Sequence, residues 1–306
     1  MSKVAIIGGG TIGLYLALKL VEKENQVSVF ERKEEIGTRV CSGLFSQKIL
    51  DFIPQASNII ENEITHAFLH FPKKTIKLSF KEKFFTMSHF NLDNLLYSSL
   101  KNNVVLGSNI TSIPDGYNRI IGCDGAFSFV RACLNLKNPS FYLGLKGTIN
   151  EKDDSSCVET WPTKNGFIWK IPRGKEIEYG IMEKPREAKK MLDIFLKKNK
   201  INIKKIEARI IPRGISIPNT KTITLCGDAT GITKPWSGGG VIWGLKSADM
   251  LASSFPDFNL YHKKMKRFFF PKVAFYNTLA KSVYFTGFNI PWIIPRTVKI
   301  EPDFLI

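Results

Sequence analysis

Val4-Ala5-Ile6-Ile7-Gly8-Gly9-Gly10-Thr11-Ile12-Gly13-Leu14-Tyr15-Leu16-Ala17 is the stretch whose reading decides the fold. Val4 to Ile7 is a short apolar run of the kind that forms a fully buried parallel strand. Gly8 to Gly13 supplies G-x-G-x-x-G, and helical periodicity runs from Leu14 to Glu24. Gln26 to Phe30 is a second, β-branched and aromatic strand that ends in an acid, Glu31, followed by Arg32. The acid falls at the roughly 20-residue spacing of a carboxylate that binds a ribose.

Each part has a physical task. Gly8 lets the strand turn sharply, and Gly10, without a Cβ, lets a pyrophosphate come close to the backbone. Gly13 and the small Ala17 let helix and strand pack together. The helix begins near Thr11 and Ile12, where N–H groups and the positive end of the helix dipole meet the phosphates. Glu31 accepts hydrogen bonds from both ribose hydroxyls, and its charge repels a 2′-phosphate. The N-terminus therefore binds a dinucleotide, with NAD and FAD both open at this point.

The chain of 306 residues is long enough for a large core and for two domains, separate or interleaved. Its apolar content is that of a globular protein rather than a disordered one. Cys41, Cys123, Cys133, Cys157 and Cys226 form no C-x-x-C pair, and the four histidines form no zinc motif, so no metal is expected. No signal peptide is expected, because the first apolar segment carries the glycines and lacks a basic leader. Reduced cysteines and a cytoplasmic location follow, with a peripheral place on the inner face of the cell membrane as a further expectation. The net charge of +17 fits a solvated lysine-rich surface or attraction to anionic lipid. No nucleic-acid motif accompanies it, so nucleic acid is not an expected partner.

Further along, the pattern predicts a helix from about Ser46, a hairpin over His66 to Phe80, and a short helix from Leu92 to Leu100. Strands follow at Val104 to Leu106 and Arg119 to Gly122. Residues 141–217 read as β-rich around one basic helix, Arg186 to Lys200. A strand at Thr222 to Cys226 leads to a helix from Gly239 to Ser253. The expected class is α/β (α+β overall): a Rossmann-like nucleotide domain interleaved with a β-rich substrate domain, plus a helical C-terminal segment. The expected boundaries are 1–52, 84–136 and 206–255 for the first, 53–83 and 137–205 for the second, and 256–306 for the third.

Two more glycine motifs follow strands. In Gly122-Cys123-Asp124-Gly125-Ala126-Phe127-Ser128-Phe129-Val130-Arg131, Asp124-Gly125 makes a tight turn and Ser128 caps a helix. Arg131 is placed to meet acidic or phosphate groups. In Gly227-Asp228-Ala229-Thr230-Gly231, Asp228 suits a polyol hydroxyl. Pro235-Trp236-Ser237-Gly238-Gly239-Gly240 then opens a helix whose positive end suits the N1–C2=O edge of a flavin.

These motifs, in this order, resemble FAD-dependent oxidoreductases of the para-hydroxybenzoate-hydroxylase-like class. Within it the chain is most similar to the geranylgeranyl reductase family, including the archaeal digeranylgeranylglycerophospholipid reductases. Cys41-Ser42-Gly43 resembles that family's Cys-Gly-Gly loop, with Ser42 in place of a glycine. Phe167-Ile168-Trp169-Lys170-Ile171-Pro172 resembles its Tyr-x-Trp-x-Phe-Pro lipid-pocket motif, with Phe167 and Ile171 replacing aromatic residues. His89 stands where many relatives carry arginine.

The resemblance implies FAD, held by Gly8, Gly10, Thr11, Ile12, Gly13, Glu31, Arg32, Cys41, Ser42, Gly43, Asp124, Gly125, Gly227, Asp228 and Gly238 to Gly240. It implies an isoprenoid lipid substrate in a pocket of Phe167, Trp169, Ile171, Pro172 and Pro235, with Cys41 near flavin and substrate. The implied activity is saturation of C=C bonds in geranylgeranyl chains, with NAD(P)H or ferredoxin as electron donor. The alternatives are a monooxygenase or halogenase of the same fold, or a non-catalytic paralogue that binds FAD or lipid. Phe167 in place of a first tryptophan weakens the halogenase pattern W-x-W-x-I-P.

The C-terminal segment mixes cations with Phe268-Phe269-Phe270, and no apolar run reaches the ~18 residues of a membrane span. An interfacial basic helix on an anionic membrane surface is one expectation, and a helix packing its phenylalanines onto the body is the other.

Overall fold

The structure, a computed structural model, describes residues 1–37 and 40–303. The strands are β1 (Lys3–Ile7), β2 (Gln26–Phe30), β3 (Leu44–Ser46), β4 (Ile60–Phe71), β5 (Lys74–Met87), β6 (Val104–Val105) and β7 (Arg119–Gly122). They continue as β8 (Ser140–Ile149), β9 (Cys157–Pro162), β10 (Phe167–Pro172), β11 (Ile177–Glu183), β12 (Glu207–Arg213), β13 (Ile223–Leu225) and β14 (Thr297–Ile300). The helices are α1 (Thr11–Val21), α2 (Ile49–Phe52), α3 (His89–Tyr97), α4 (Phe129–Cys133), α5 (Pro185–Lys198), α6 (Val241–Ser254) and α7 (Phe258–Asn289). Two compact units result: Met1–Thr38, Phe90–Ser140 and Pro212–Phe275 form the first, and Arg39–His89, Phe141–Ile211 and Tyr276–Ile306 the second.

The first unit is a parallel sheet in the order β13-β7-β1-β2-β6. Val4, Ala5 and Ile6 are fully buried, as a central strand covered on both faces requires. Ala5, Ile7, Ile120, Val130, Leu225 and Ala229 form one of its cores. α1 packs against α6, where Gly244 leaves room for Ile12 and the Tyr15 hydroxyl donates to Asp249 at 2.7 Å. Burial and the neighbouring carboxylate both push the Tyr15 phenol above its ordinary range.

The second unit is a larger, mixed sheet in the order β12-β8-β11-β10-β9-β4-β5-β14, with β3 paired to β5. The expected hairpin is β4 and β5, turning at Pro72 and Lys73. α5 covers one face, setting Ala188, Leu192 and Leu196 on Leu145, Ile168, Ile177 and Ile181. Ile64, Ala67, Val158, Trp169, Ile171 and Met182 form a second cluster.

Two sequence expectations are corrected here. The chain at Ser46 is the end of a strand, and the next helix, α2, starts at Ile49. Leu44, Phe45 and Ser46 pair with Thr86, Phe85 and Phe84, and the Met87 N–H donates to the Gly43 carbonyl at 2.9 Å. This pairing goes with residues 40–52 and 84–89 clustering in the second unit, where the expected boundaries gave them to the nucleotide domain. The C-terminal segment is not a body of its own. Residues to Phe275 cluster with the first unit, and the rest with the second, where β14 lies parallel to β5.

Candidate functional site

In the first unit the β1–α1 turn is a tight piece of backbone. Gly8 has φ +112°, and a Cβ there would stand 2.3 Å from the Cys123 carbonyl oxygen. At Gly13 a Cβ would stand 2.0 Å from the oxygen of Gly8. Gly10 differs, since a Cβ there would meet nothing within 4 Å. No side chain caps α1 and no acid lies in its first turn, which leaves positive potential at the mouth of that space. The Thr11 hydroxyl donates to Asp93, which is buried, while the Ile12 side chain packs on Gly227 and Gly244.

Glu31 stands at the tip of β2 and already accepts two backbone hydrogen bonds, from Gly9 N at 2.8 Å and Lys33 N at 3.1 Å. These fix the carboxylate beside the glycine loop, and its remaining lone pairs stay available to hydroxyl donors. Arg32 is exposed. Asp124 uses one oxygen to hold Val130 N at 3.1 Å, while its other oxygen is buried with no hydrogen-bond partner. Gly125, at φ +80°, again faces open space. In the third motif Asp228 reaches the Gly240 backbone, so closely that a Cβ on Gly240 would lie 2.7 Å from its Oδ1. Gly238, Gly239 and Gly240 precede α6, which starts at Val241 without a side-chain cap.

Arg131, expected to meet acidic or phosphate groups, has Asp124 as a charged neighbour and is held mainly by backbone carbonyls. It is buried, donating to the carbonyls of Ala229 at 2.8 Å and Ala126 at 2.6 Å and to Asn138 at 3.0 Å. It ties the second motif to the third. Ser128 caps α4 as expected, accepting from Arg131 N at 2.9 Å. Open space at Gly10 and Gly125, the uncapped start of α1 and the orphaned Asp124 oxygen together fit a bound dinucleotide.

The second unit holds Cys41, Ser42, Gly43, Phe167, Trp169, Ile171 and Pro172, whereas Pro235 belongs to the first. Trp169 and Ile171 are buried in the β10 core, and the Trp169 ring lies over Gly180, where a Cβ would come within 2.3 Å of it. Trp169 Nε1 donates to Glu178 at 2.9 Å. Glu178 is fully buried between Lys146 at 3.1 Å and Arg173 at 3.4 Å. Burial raises its carboxyl, and the two cations and the indole N–H oppose that rise without cancelling it. Arg173 also donates to the Ser42 carbonyl and pairs with Glu61 at 2.6 Å. Ser42 and Trp169, distant in sequence, are thus tied through one arginine and one glutamate.

Cys41 is half-buried. Burial by itself would raise its thiol, but the charge of His89, a hydrogen bond with that ring, Arg209 and the Gly43 N–H together bring it down to about 7. Periodicity does not connect His89 or Glu178 to the site. The signal present was the His89 departure from the family pattern. The cleft lined by Lys164, Glu183, Lys184, Arg186 and Met191 touches none of the predicted substrate residues.

Comparison with known proteins agrees with this fold. Residues 3–64 match the pyridine nucleotide-disulphide oxidoreductase family. No match was found among curated protein sequences. Among solved structures, a geranylgeranyl bacteriochlorophyll reductase-like protein of Thermoplasma acidophilum is 20% identical, with TM-score 0.79 over 92% of this chain and 87% of that one. A flavoprotein/dehydrogenase of Cytophaga hutchinsonii is 13% identical, with TM-score 0.75 over 93% and 87%. A probable FAD-dependent monooxygenase of Pseudomonas aeruginosa is 14% identical, with TM-score 0.72 over 94% and 97%. The α/β fold of this chain, with its parallel nucleotide sheet and second mixed sheet, is the one these oxidoreductases share.

Proposed function

We propose that the protein is an FAD-dependent reductase that saturates C=C bonds in isoprenoid chains of lipids or prenyl precursors. The observation that carries this reading is the tie between Cys41-Ser42-Gly43 and Trp169 through Arg173 and Glu178. Those are the two stretches that carry the narrower resemblance to geranylgeranyl reductases, and they share one unit. The Thermoplasma acidophilum neighbour supports the same reading.

FAD belongs to the first unit. Glu31 holds its ribose end, the α1 N-terminus and Gly10 its pyrophosphate, Asp124 and Asp228 its hydroxyls, and the start of α6 its flavin end. Bound FAD supplies the hydride that an unactivated alkene needs, and a proton must reach the other carbon. The second unit has a group suited to that proton. The Cys41 thiol, poised near neutrality by His89, holds a proton at Sγ and can be recharged in neutral solution. Trp169, locked by Glu178 and Gly180, offers a rigid apolar wall for positioning the chain. The electron donor is NAD(P)H or ferredoxin.

The Pseudomonas aeruginosa neighbour favours a second reading, a monooxygenase on the same fold. Anaerobic reduction of the purified holoprotein, addition of an unsaturated isoprenoid lipid and mass spectrometry separate them. A gain of two hydrogens supports the reductase. A gain of oxygen on admitting air supports the monooxygenase, and no change supports a binding protein.

A further inference from the structure

From Phe258 to Ile300 the chain has eight Lys or Arg residues and no Asp or Glu. Within the second unit this segment is anchored by contacts of Tyr284, Gly287 and Ile294. Gly287 lies against the Phe71 ring, at 2.2 Å from where a Cβ would be, and the Tyr284 hydroxyl donates to the Gly166 carbonyl at 2.8 Å. Lys74 Nζ donates to the Ile294 carbonyl. Those contacts fix the inner face of the last turns of α7 and of the turn that follows. The outer side carries Phe285 at 64% exposure, Trp292 at 71% and Ile293 at 58%. Lys281, Arg296 and Lys299 are exposed on the same segment, as is Lys73 at the β4–β5 turn, while the Phe288 ring packs on Phe71 at 5.3 Å.

Large aromatic side chains held in water on an anchored element cost free energy unless a partner covers them. A partner protein would need matching acids, whereas an anionic bilayer offers both the apolar depth and the charge. We propose that this surface docks on an anionic lipid bilayer, with Phe285, Trp292 and Ile293 entering the interface and Lys281, Arg296, Lys299 and Lys73 meeting the headgroups. The segment then lies on the membrane rather than in it, since no described helix is long and apolar enough to cross one. The first part of α7, in the other unit, carries exposed Phe270 and Phe275 and more cations, so the composition is continuous along the helix. The inference stands on exposure and charge, and is independent of which reaction the protein catalyses.

The test is sedimentation of the full chain with vesicles of phosphatidylcholine, with and without about 30% phosphatidylglycerol, at low salt. Binding to the anionic vesicles only is expected, with quenching of tryptophan fluorescence by lipids brominated on the acyl chain. The W292F variant should bind but lose most of that quenching. The K281E/R296E variant should bind at least about tenfold more weakly, from about 1 kcal/mol per cation at an anionic surface. Circular dichroism confirms that each variant is folded. Equal binding to neutral vesicles, no binding at low salt, or unchanged binding by K281E/R296E overturns the proposal. So does self-association that buries Trp292 and disappears in the same variants. Turnover is not read, so a failed vesicle assay leaves the reductase reading to its own test.

Discussion

Trp169 Nε1 donates a 2.9 Å hydrogen bond to Oε1 of Glu178, a carboxylate with no exposure to solvent. A single buried acid therefore orients the indole while it balances Lys146 and Arg173. Glu178→Gln leaves those cations with a neutral partner and should destabilise the protein by about 3 kcal/mol, at the lower end for breaking a buried pair. Trp169→Phe loses one hydrogen bond and some apolar area and should cost about 1–2 kcal/mol. Urea denaturation of both variants checks the order, and a smaller loss for Glu178→Gln would remove the carboxylate from its central role.

The Cys41 thiol gives a pH signature. Its folded value of about 7 lies below the 9.0 of an unperturbed thiol, so between those values the unfolded chain binds more protons. Its contribution to stability is fully present above about 9 and is lost as pH falls through about 7. Iodoacetamide alkylation at Cys41 should reach half its maximal rate near pH 7. In His89→Ala the largest lowering influence is gone and burial is left less opposed, so the midpoint should rise to at least the ordinary thiol range. An unmoved midpoint would mean that His89 does not set the thiol.

The glycines of the first motif should separate folding from cofactor binding. Gly13→Ala forces a Cβ to within 2.0 Å of the Gly8 oxygen and should cost about 3 kcal/mol or more. Gly10→Val adds its side chain to open space and should leave the unliganded protein within about 1 kcal/mol of the parent. It should nonetheless purify without visible flavin absorbance. Thermal melts and absorbance spectra of both variants check this, and a yellow Gly10→Val protein would place the pyrophosphate elsewhere.

Arg131 should behave as a structural residue. Arg131→Met leaves the carbonyls of Ala126 and Ala229 without their buried donors and should lower stability by about 3 kcal/mol. At a temperature where the variant stays folded, flavin affinity should fall by no more than about threefold. A selective loss of affinity with unchanged stability would restore the phosphate-binding role.

Much of the nucleotide half was legible in the order of residues. Strand, glycines, helix, strand and acid are local in sequence, and their geometry follows from backbone sterics and short-range spacing. Gly13 and Glu31 show this, since each works on a neighbour within one βαβ unit, whereas Gly8 makes room for the Cys123 carbonyl far along the chain. The same local rules read the β4–β5 hairpin and the cap at Ser128. They misread Ser46, because a three-residue strand is specified by its partner β5 and not by its own periodicity. They did not show that Arg131 also reaches Ala229, far along the chain, whose carbonyl takes its hydrogen bond.

The sequence by itself determined that the chain has the strand, glycine turn and helix of an FAD-binding fold, because a glycine turn between strand and helix is a local property of the chain. Only the tertiary structure decided that His89 lies beside the Cys41 thiol, that Arg173 and Glu178 join Ser42 to Trp169, and that Trp292 stands in water. Those facts depend on sheet register and side-chain burial, which arise from contacts between residues far apart in sequence and leave no periodic trace in it.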